Sequence, residues 1–168
     1  MNGDHILKTV ELMTTINLAM TTEQAQAVND ALDFYSRICI GQFEEIVALA
    51  QFGVISQRTA VDSERKLTTP EINERMLEIV NNLKEEVGQP QNGSFSIGHP
   101  HVHLSGKRAW EAKKALGKVL AELREPNPDF KGVNYDGNLV RYTDDPEPLV
   151  TVIEQPKDEC DEAPGPKL

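Results

Sequence analysis

The sequence of 168 residues has few of the residues on which several protein classes depend. Its two cysteines, Cys39 and Cys160, lie far apart, which excludes a disulfide framework and the paired spacing of a zinc site. Aromatic residues make up 5%, so a core must be built from Leu, Ile, Val and Ala. No run of about 18 apolar residues occurs, and no basic-then-apolar leader follows Met1. We therefore expect a cytoplasmic protein with no membrane partner.

Positive charge is also scarce. The net charge is −10, and residues 144–168 alone hold eight acidic residues against two lysines. The rest of the chain is mildly acidic, which disfavours nucleic acid as a partner, because non-specific binders neutralise phosphates with Lys and Arg. The length predicts a single domain over residues 1–154, followed by an acidic, flexible tail over 155–168.

The sequence does contain a proline-free stretch, residues 22–52, with apolar residues on most sides of a helix. Thr21 and Gln24 suit a capping box at its start, and Gly53 suits its end. We expect one helix of about eight turns here. Because its apolar surface is broader than one small domain covers, we also expect a homo-oligomer that forms through this helix.

The remaining segments predict an α+β fold. Thr69-Pro70-Glu71 is typical of a helix start, Gly88 of that helix's end, and Ser105 of the cap of a third helix over about 106–124. After Arg124 the chain is a proline-rich arm with seven of the ten prolines. Alternating or β-branched segments predict a few short antiparallel strands, around 14–20, 99–104, 138–143 and 149–153.

Three of the four histidines, His99, His101 and His103, lie close together in the sequence. In an extended segment their side chains share one face, and imidazole suits zinc, copper or nickel. The alternative is a polar loop whose histidines bond to the backbone or bind a phosphate. Since no Cys and no second ligand cluster accompanies them, we favour a site without metal or cofactor.

Several residues suit the binding of a nucleotide. Arg37 is followed by Gly41 and Gln42, where a missing side chain allows close approach of a ligand or of another backbone. The loop before the third helix leads into its N-terminus, which favours an anion. Structural alternatives are helix packing for Gly41, an ion pair for Arg37 and a solvated basic face for Arg108. The candidate ligand-binding residues are Arg37, Gln42, Asn92, Phe95, His99, His101, Arg108, Arg141 and Tyr142.

One stretch resembles known proteins. ALDFYSRICIGQFEEI, residues 31–46, together with NGSFSIGHPHV and the DPEP of the arm, resembles small bacteriophage proteins and is similar to the phage Thoeris anti-defence sponges. The resemblance implies an α+β oligomer that encloses a cyclic nucleotide or ADP-ribose-derived immune signal between protomers without cleaving it. It matches Arg37 to the ligand-facing arginine of the central helix. The histidine-rich loop and the arm have no counterpart in that pattern.

Three hypotheses follow for the function. The first is a phage-encoded nucleotide-signal sponge, which is not an enzyme. The second is a histidine-metal hydrolase or phosphodiesterase centred on His99, His101 and His103. The third is a protein–protein inhibitor whose acidic arm mimics nucleic acid or occupies a basic partner. We favour the first largely because of the resemblance, and the absence of an evident catalytic constellation of nucleophile and base in the sequence also favours binding over catalysis.

Overall fold

A computed structural model of the chain describes residues 15–55 and 69–153, and its regular structure consists of helices. The helices are α1 (Thr22–Cys39), α2 (Glu44–Gln51), α3 (Thr69–Glu86) and α4 (Leu104–Arg124). The described residues contain no strand, so the prediction of an α+β fold is wrong, and this part of the chain is all-helical. None of its helices is long and apolar enough to cross a membrane. The predicted tail, 155–168, lies outside the described residues.

The start of α1 is the one predicted from the sequence. The Thr21 hydroxyl accepts a hydrogen bond from the Gln24 N–H at 3.3 Å, and the Gln24 side-chain oxygen accepts one from the Thr21 N–H at 3.0 Å. Both halves of the capping box are therefore present, which satisfies two N–H groups that the first helical turn leaves without partners.

The single helix predicted over 22–52 is wrong, because the chain turns after Cys39 and begins a second helix at Glu44. Gly41 lies in this turn with φ +90, a conformation that glycine adopts without strain, and the Gln42 N–H returns to the Arg37 carbonyl at 2.9 Å. A Cβ on Gly41 would overlap the side-chain amide of Gln89. The apolar pattern of the sequence continues through this turn, so helical periodicity alone does not predict the break between α1 and α2.

The helices form two contacting pairs joined at α1 and α2. α1 and α4 pack against each other, α2 contacts both α1 and α3, and among the helices of the described residues α3 contacts only α2. Two glycines bring α4 close to α1: a Cβ on Gly106 would lie 2.6 Å from the Cys39 Cβ, and one on Gly117 would lie 3.2 Å from the Asn29 side-chain oxygen. The buried apolar residues of α4 are Ala109, Leu116, Leu120 and Ala121.

The contact between α2 and α3 has a small core of its own. Phe43, Val47 and Val80 are buried in it, with Ile38 and Met76 packed against them. Beside this core, Lys84 of α3 is 1% exposed and donates hydrogen bonds to the Glu44 carboxylate and, at 3.3 Å, to the Gly93 carbonyl. α3 begins at Thr69, one residue before the predicted first helical position, Pro70, and Gly88, with φ +68, follows its end.

The four predicted strand segments form no strand within the described residues. Residues 15–20 and 149–153 run without a regular element, and residues 99–102 form a turn that leads into α4. Residues 138–143 are held by a helix side chain, because the backbone N–H groups of Tyr142 and Thr143 donate to Glu111. β-branched residues favour strands only where a neighbouring strand supplies partners, and here α4 supplies the acceptor.

Candidate functional site

An open polar cavity of about 290 Å³ lies where the α1–α2 turn meets the loop between α3 and α4. The Phe95 N–H donates to the Ile40 carbonyl at 2.9 Å, and the Gln42 side-chain amide donates to the Ser94 hydroxyl at 3.2 Å, which holds the loop in place. Two of the predicted binding residues, Arg37 and Gln42, lie in the cavity wall. The cavity is lined by Arg37, Gln42, Glu44, Glu45, Gly93 and Ser94.

Arg37 is the cation of this cavity wall, and its side chain is 40% exposed. Its Nε donates to the Asp33 carboxylate at 2.6 Å, and its Nη1 donates to the Gln42 side-chain oxygen at 3.1 Å and to the Glu45 carboxylate at 2.9 Å. Its Nη2 makes no hydrogen bond to a described residue. The guanidinium group is therefore held in a fixed orientation and keeps one donor nitrogen for a ligand.

Asp33 shares its carboxylate between two cations. One oxygen accepts from Arg37, and the other lies 3.0 Å from the Lys113 Nζ. Burial by itself raises the pKa of Asp33, but the hydrogen bonds and charges of Arg37 and Lys113 outweigh burial and hold the pKa below its usual range. Asp33 is thus an ionised anchor for Arg37.

Two more carboxylates, those of Glu44 and Glu45, lie in the cavity wall. Burial raises the pKa of Glu44, but the hydrogen bond from Lys84 and the other hydrogen bonds and charges around the carboxylate outweigh it and leave the pKa lowered. Glu45 is 36% exposed, and its ion-pair partner among the described residues is Arg37. An anion that enters the cavity therefore competes with Glu45 for the guanidinium group.

A cluster of rings follows the cavity loop. The Phe95 and His99 rings stack with centroids 4.3 Å apart and an angle of 9° between planes. His101 meets both edge-on, with its centroid 5.8 Å from that of Phe95 and 4.9 Å from that of His99. The cluster begins at Phe95, the residue after Ser94, so its rings directly follow the cavity loop in the sequence.

His103 does not join this cluster. Its Nδ1 accepts a hydrogen bond from the Ser105 N–H at 3.2 Å, so His103 is the N-cap of α4, the role that the sequence assigned to Ser105. The Ser105 hydroxyl instead links α4 to α1, at 2.8 Å from the Tyr35 hydroxyl. The three histidines therefore do not converge, and within residues 15–55 and 69–153 no group of His, Cys, Asp or Glu is arranged to hold a metal ion.

The other predicted binding residues lie outside the cavity wall. Arg108 pairs with Asp145, and the Arg141 Nε donates to the Glu111 carboxylate at 3.0 Å, so both arginines hold the arm on α4. The Tyr142 ring packs on the histidine loop, since a Cβ on Gly98 would lie 2.8 Å from its Cε1. Asn92 is exposed beside Gly93 of the cavity wall.

The most completely bonded carboxylate, Glu111, was not predicted from the sequence. It is 2% exposed; its Oε1 accepts from the Tyr142 N–H at 2.6 Å and from the Thr143 N–H at 2.9 Å. Its Oε2 accepts from the Thr143 hydroxyl at 2.8 Å and from Arg141 at 3.0 Å. Burial raises the pKa of Glu111, but these hydrogen bonds outweigh burial and hold it below its usual range. All four donors come from residues about thirty positions away, so no local pattern indicates this role.

No protein-family model, curated protein or solved structure matches the chain.

Proposed function

We propose that this protein is a phage anti-defence binding protein that sequesters a phosphate-bearing nucleotide signal, a cyclic nucleotide or an ADP-ribose derivative, without cleaving it. The observation that best supports this proposal is Arg37, a half-exposed arginine in the wall of a polar cavity, with an Nη2 that bonds to no described residue. Arginine binds phosphate through charge-assisted hydrogen bonds of fixed geometry. The resemblance of residues 31–46 to phage sponges matches the same arginine.

In this proposal a phosphate takes the place of Glu45 at Arg37. The Glu45 side chain is 36% exposed, so it turns to water when it is displaced, while the Asp33 contact keeps the guanidinium group oriented. Gln42 and the Ser94 hydroxyl offer further hydrogen bonds to phosphate or sugar oxygens. A hydrogen bond to a charged group is worth about 1.5–3 kcal/mol, so one or two of them at Arg37 contribute at most about 6 kcal/mol. Micromolar affinity corresponds to about 8 kcal/mol, so the other contacts of a preformed cavity are needed to reach it.

The nucleobase is assigned to the ring cluster. The stacked Phe95 and His99 present flat faces, and Asn92 is exposed to read a base edge. The volume of about 290 Å³ is at the lower limit of ordinary ligand pockets, so the cavity holds a phosphate and its sugar while the base extends beyond it. A second protomer that covers this open side, through residues 22–52 as the sequence predicts, is part of the proposal.

The proposal is tested by the thermal stability of the full chain with a panel of cyclic mono- and dinucleotides and ADP-ribose isomers. Binding to the native state raises Tm, and chromatography after heat denaturation recovers the ligand intact. A ligand that is consumed without an added partner would show an enzyme. An unchanged Tm with every member of the panel would reject nucleotide binding.

Three variants locate the site. Arg37→Gln removes the phosphate contact and is expected to weaken binding by about tenfold or more, which corresponds to one charge-assisted hydrogen bond. Arg108→Gln is the matched control, because Arg108 is an exposed arginine outside the cavity wall. The Arg108→Gln variant is expected to bind the ligand with an affinity near that of wild type. Glu45→Gln removes the competing carboxylate and raises affinity. Equal losses in the two arginine variants would place the ligand elsewhere.

A further inference from the structure

The charged groups in and behind the wall of the Arg37 cavity are balanced in number. Four ion pairs join three cations to three carboxylates there: Arg37 with Asp33 and with Glu45, Lys113 with Asp33, and Lys84 with Glu44. Carboxylates, lysines and arginines are ordinarily charged at neutral pH, and the partners of Asp33 and Glu44 outweigh burial and hold the pKa of each below its usual range. The charges of this network therefore sum to zero before a ligand enters.

These charges are not equally open to the cavity. Lys84 is buried, Lys113 is 19% exposed, and neither lines the cavity. Arg37, Glu44 and Glu45 do line it with partly exposed side chains, and the other lining residues carry no charge. A ligand in the cavity consequently meets one cation and two carboxylates, while the two lysines that balance the sum lie behind them.

The phosphate groups of nucleotides differ in the charge that they bring to this wall. A phosphodiester, as in a cyclic nucleotide, carries one negative charge, whereas a terminal phosphomonoester carries about 1.5 to 2 near neutral pH, because its second pKa is about 6. One charge replaces the Glu45 carboxylate at Arg37 without altering the charge balance around the guanidinium group. A second charge finds no further cation in the wall and faces Glu44 and the displaced Glu45.

We propose that Glu44 and Glu45 make this cavity selective for a singly charged phosphodiester and discriminate against nucleotides that end in a phosphomonoester. The inference rests on the proposed function and names its ligand class more closely. A cyclic mononucleotide or dinucleotide fits, because it places a single charge at Arg37. An ADP-ribose derivative fits less well, because its two adjacent phosphates bring two charges to a wall with one cation.

The size of the selectivity follows from the charges at the wall. For the second charge of a phosphomonoester, attraction by Arg37 offsets repulsion by one of the two carboxylates, and repulsion by the other carboxylate remains. Unit charges about 7 Å apart change a binding constant by about threefold in bulk water, and by more than tenfold where the effective dielectric constant is about 20. Because water reaches the partly exposed wall, we expect a factor of about three to ten. The greater dehydration cost of a dianion acts in the same direction.

Isothermal titration of the full chain with matched phosphate esters tests this selectivity. The probes are the four common ribonucleoside 5′-monophosphates and the 5′-methyl ester of each, at about pH 7.5 and low salt, so that the members of a pair differ by about one charge and a methyl group. Each methyl ester is expected to bind about three- to tenfold more tightly than its parent, with a smaller ratio at high salt. Monophosphates that bind as tightly as their methyl esters would overturn the proposal, as would a failure of all the probes to bind.

Glu45→Gln shows whether a carboxylate of the wall causes the selectivity. It removes one negative charge from the cavity, so the monophosphates are expected to gain more affinity than the methyl esters, and the ratio falls to within about twofold of unity. Glu122→Gln is the matched control, because Glu122 is a half-exposed carboxylate of α4 outside the cavity wall, and the ratio in this variant is expected to equal that of wild type. An unchanged ratio in Glu45→Gln would overturn the proposal.

Two results separate this inference from the proposed function. A cyclic nucleotide that raises Tm in wild type, together with equal affinities for each monophosphate and its methyl ester, supports the proposed function and rejects the charge selectivity. An unchanged Tm with every member of the nucleotide panel rejects the proposed function itself, and the selectivity with it.

Discussion

Glu111 is a charged side chain with almost no access to water, and its four hydrogen-bond donors are what make its burial tolerable. Glu111→Gln keeps the shape but turns an amide NH₂ toward groups that are themselves donors. We expect a loss of about 2–4 kcal/mol in the free energy of unfolding, measured by urea denaturation. Glu122→Gln is the control: Glu122 is half-exposed and 3.9 Å from the Lys118 Nζ, so a change within about 0.5 kcal/mol is expected. Equal losses would contradict the assigned role of Glu111.

The same carboxylate sets a pH dependence. Its folded-state pKa lies below the unfolded value, so its contribution to stability is complete above the unfolded pKa and is lost as pH falls through the folded pKa. Asp33 and Glu44, whose pKa values are also lowered, act in the same direction. The free energy of unfolding is therefore expected to fall as pH drops below about 4, and to fall less steeply in Glu111→Gln. Parallel stability curves for the two proteins would contradict this prediction.

For individual residues, the sequence predicts those side-chain contacts that depend on spacing within one or two helical turns. Thr21 and Gln24 bond across one helical turn, so their capping box was recognisable. Arg37 and Gln42, two of the candidate binding residues, are five residues apart in the sequence, and their side chains bond at 3.1 Å. Glu111 and Lys84 escaped prediction because their partners come from distant segments, and in sequence each reads as an ordinary surface charge on a helix.

Among the helices, α3 depends on an asymmetric ion pair with α2. Lys84 is 1% exposed and Glu44 is 47% exposed. Removal of Glu44 therefore leaves a buried charge without its partner, whereas removal of Lys84 leaves a carboxylate that water reaches. Glu44→Ala strands a buried ammonium group with the Gly93 carbonyl and is expected to cost about 2–3 kcal/mol of unfolding free energy, reduced from the fully buried case because Glu44 is half-exposed. Lys84→Met leaves a carboxylate that water can reach and fills the space with apolar atoms, with an expected change within about 1 kcal/mol. A larger loss of unfolding free energy in Lys84→Met than in Glu44→Ala, measured by urea denaturation, would contradict this prediction.

Element boundaries followed the sequence where a capping or breaking residue stands at the end of an element. Gly88 follows the end of α3 as expected, and α3 begins within one residue of the predicted position. The α1–α2 turn was missed because Gly41 stands within an unbroken apolar pattern, and its need for a positive φ is a property of the folded turn. Strands were predicted from residue types that favour them, although strand formation also requires a neighbour that the described chain does not supply.

The part of the chain that the structure describes divides into a larger unit built on α1 and α4 and a smaller one in which α3 has α2 as its only helical neighbour. We expect the amides of α3 to exchange with deuterium faster than those of α4, because fewer buried contacts oppose its local opening. Val80→Ala, in the small α2–α3 core, is expected to accelerate exchange in α3 and to leave α4 unchanged, as measured by mass spectrometry. Leu120→Ala, buried on α4, serves as the counterpart and is expected to accelerate exchange in α4 itself. Uniform acceleration in both variants would show one cooperative unit instead.

Glu44 belongs to two structures at once, the wall of the Arg37 cavity and the ion pair that holds Lys84 of α3. Occupancy of the cavity and attachment of α3 are consequently linked equilibria. A molecule that draws Glu44 away from Lys84 loosens the helix, and by thermodynamic reciprocity a loosened helix alters affinity for that molecule by the same factor. Deuterium uptake in α3 is thus a remote reporter of a molecule that displaces Glu44 from Lys84.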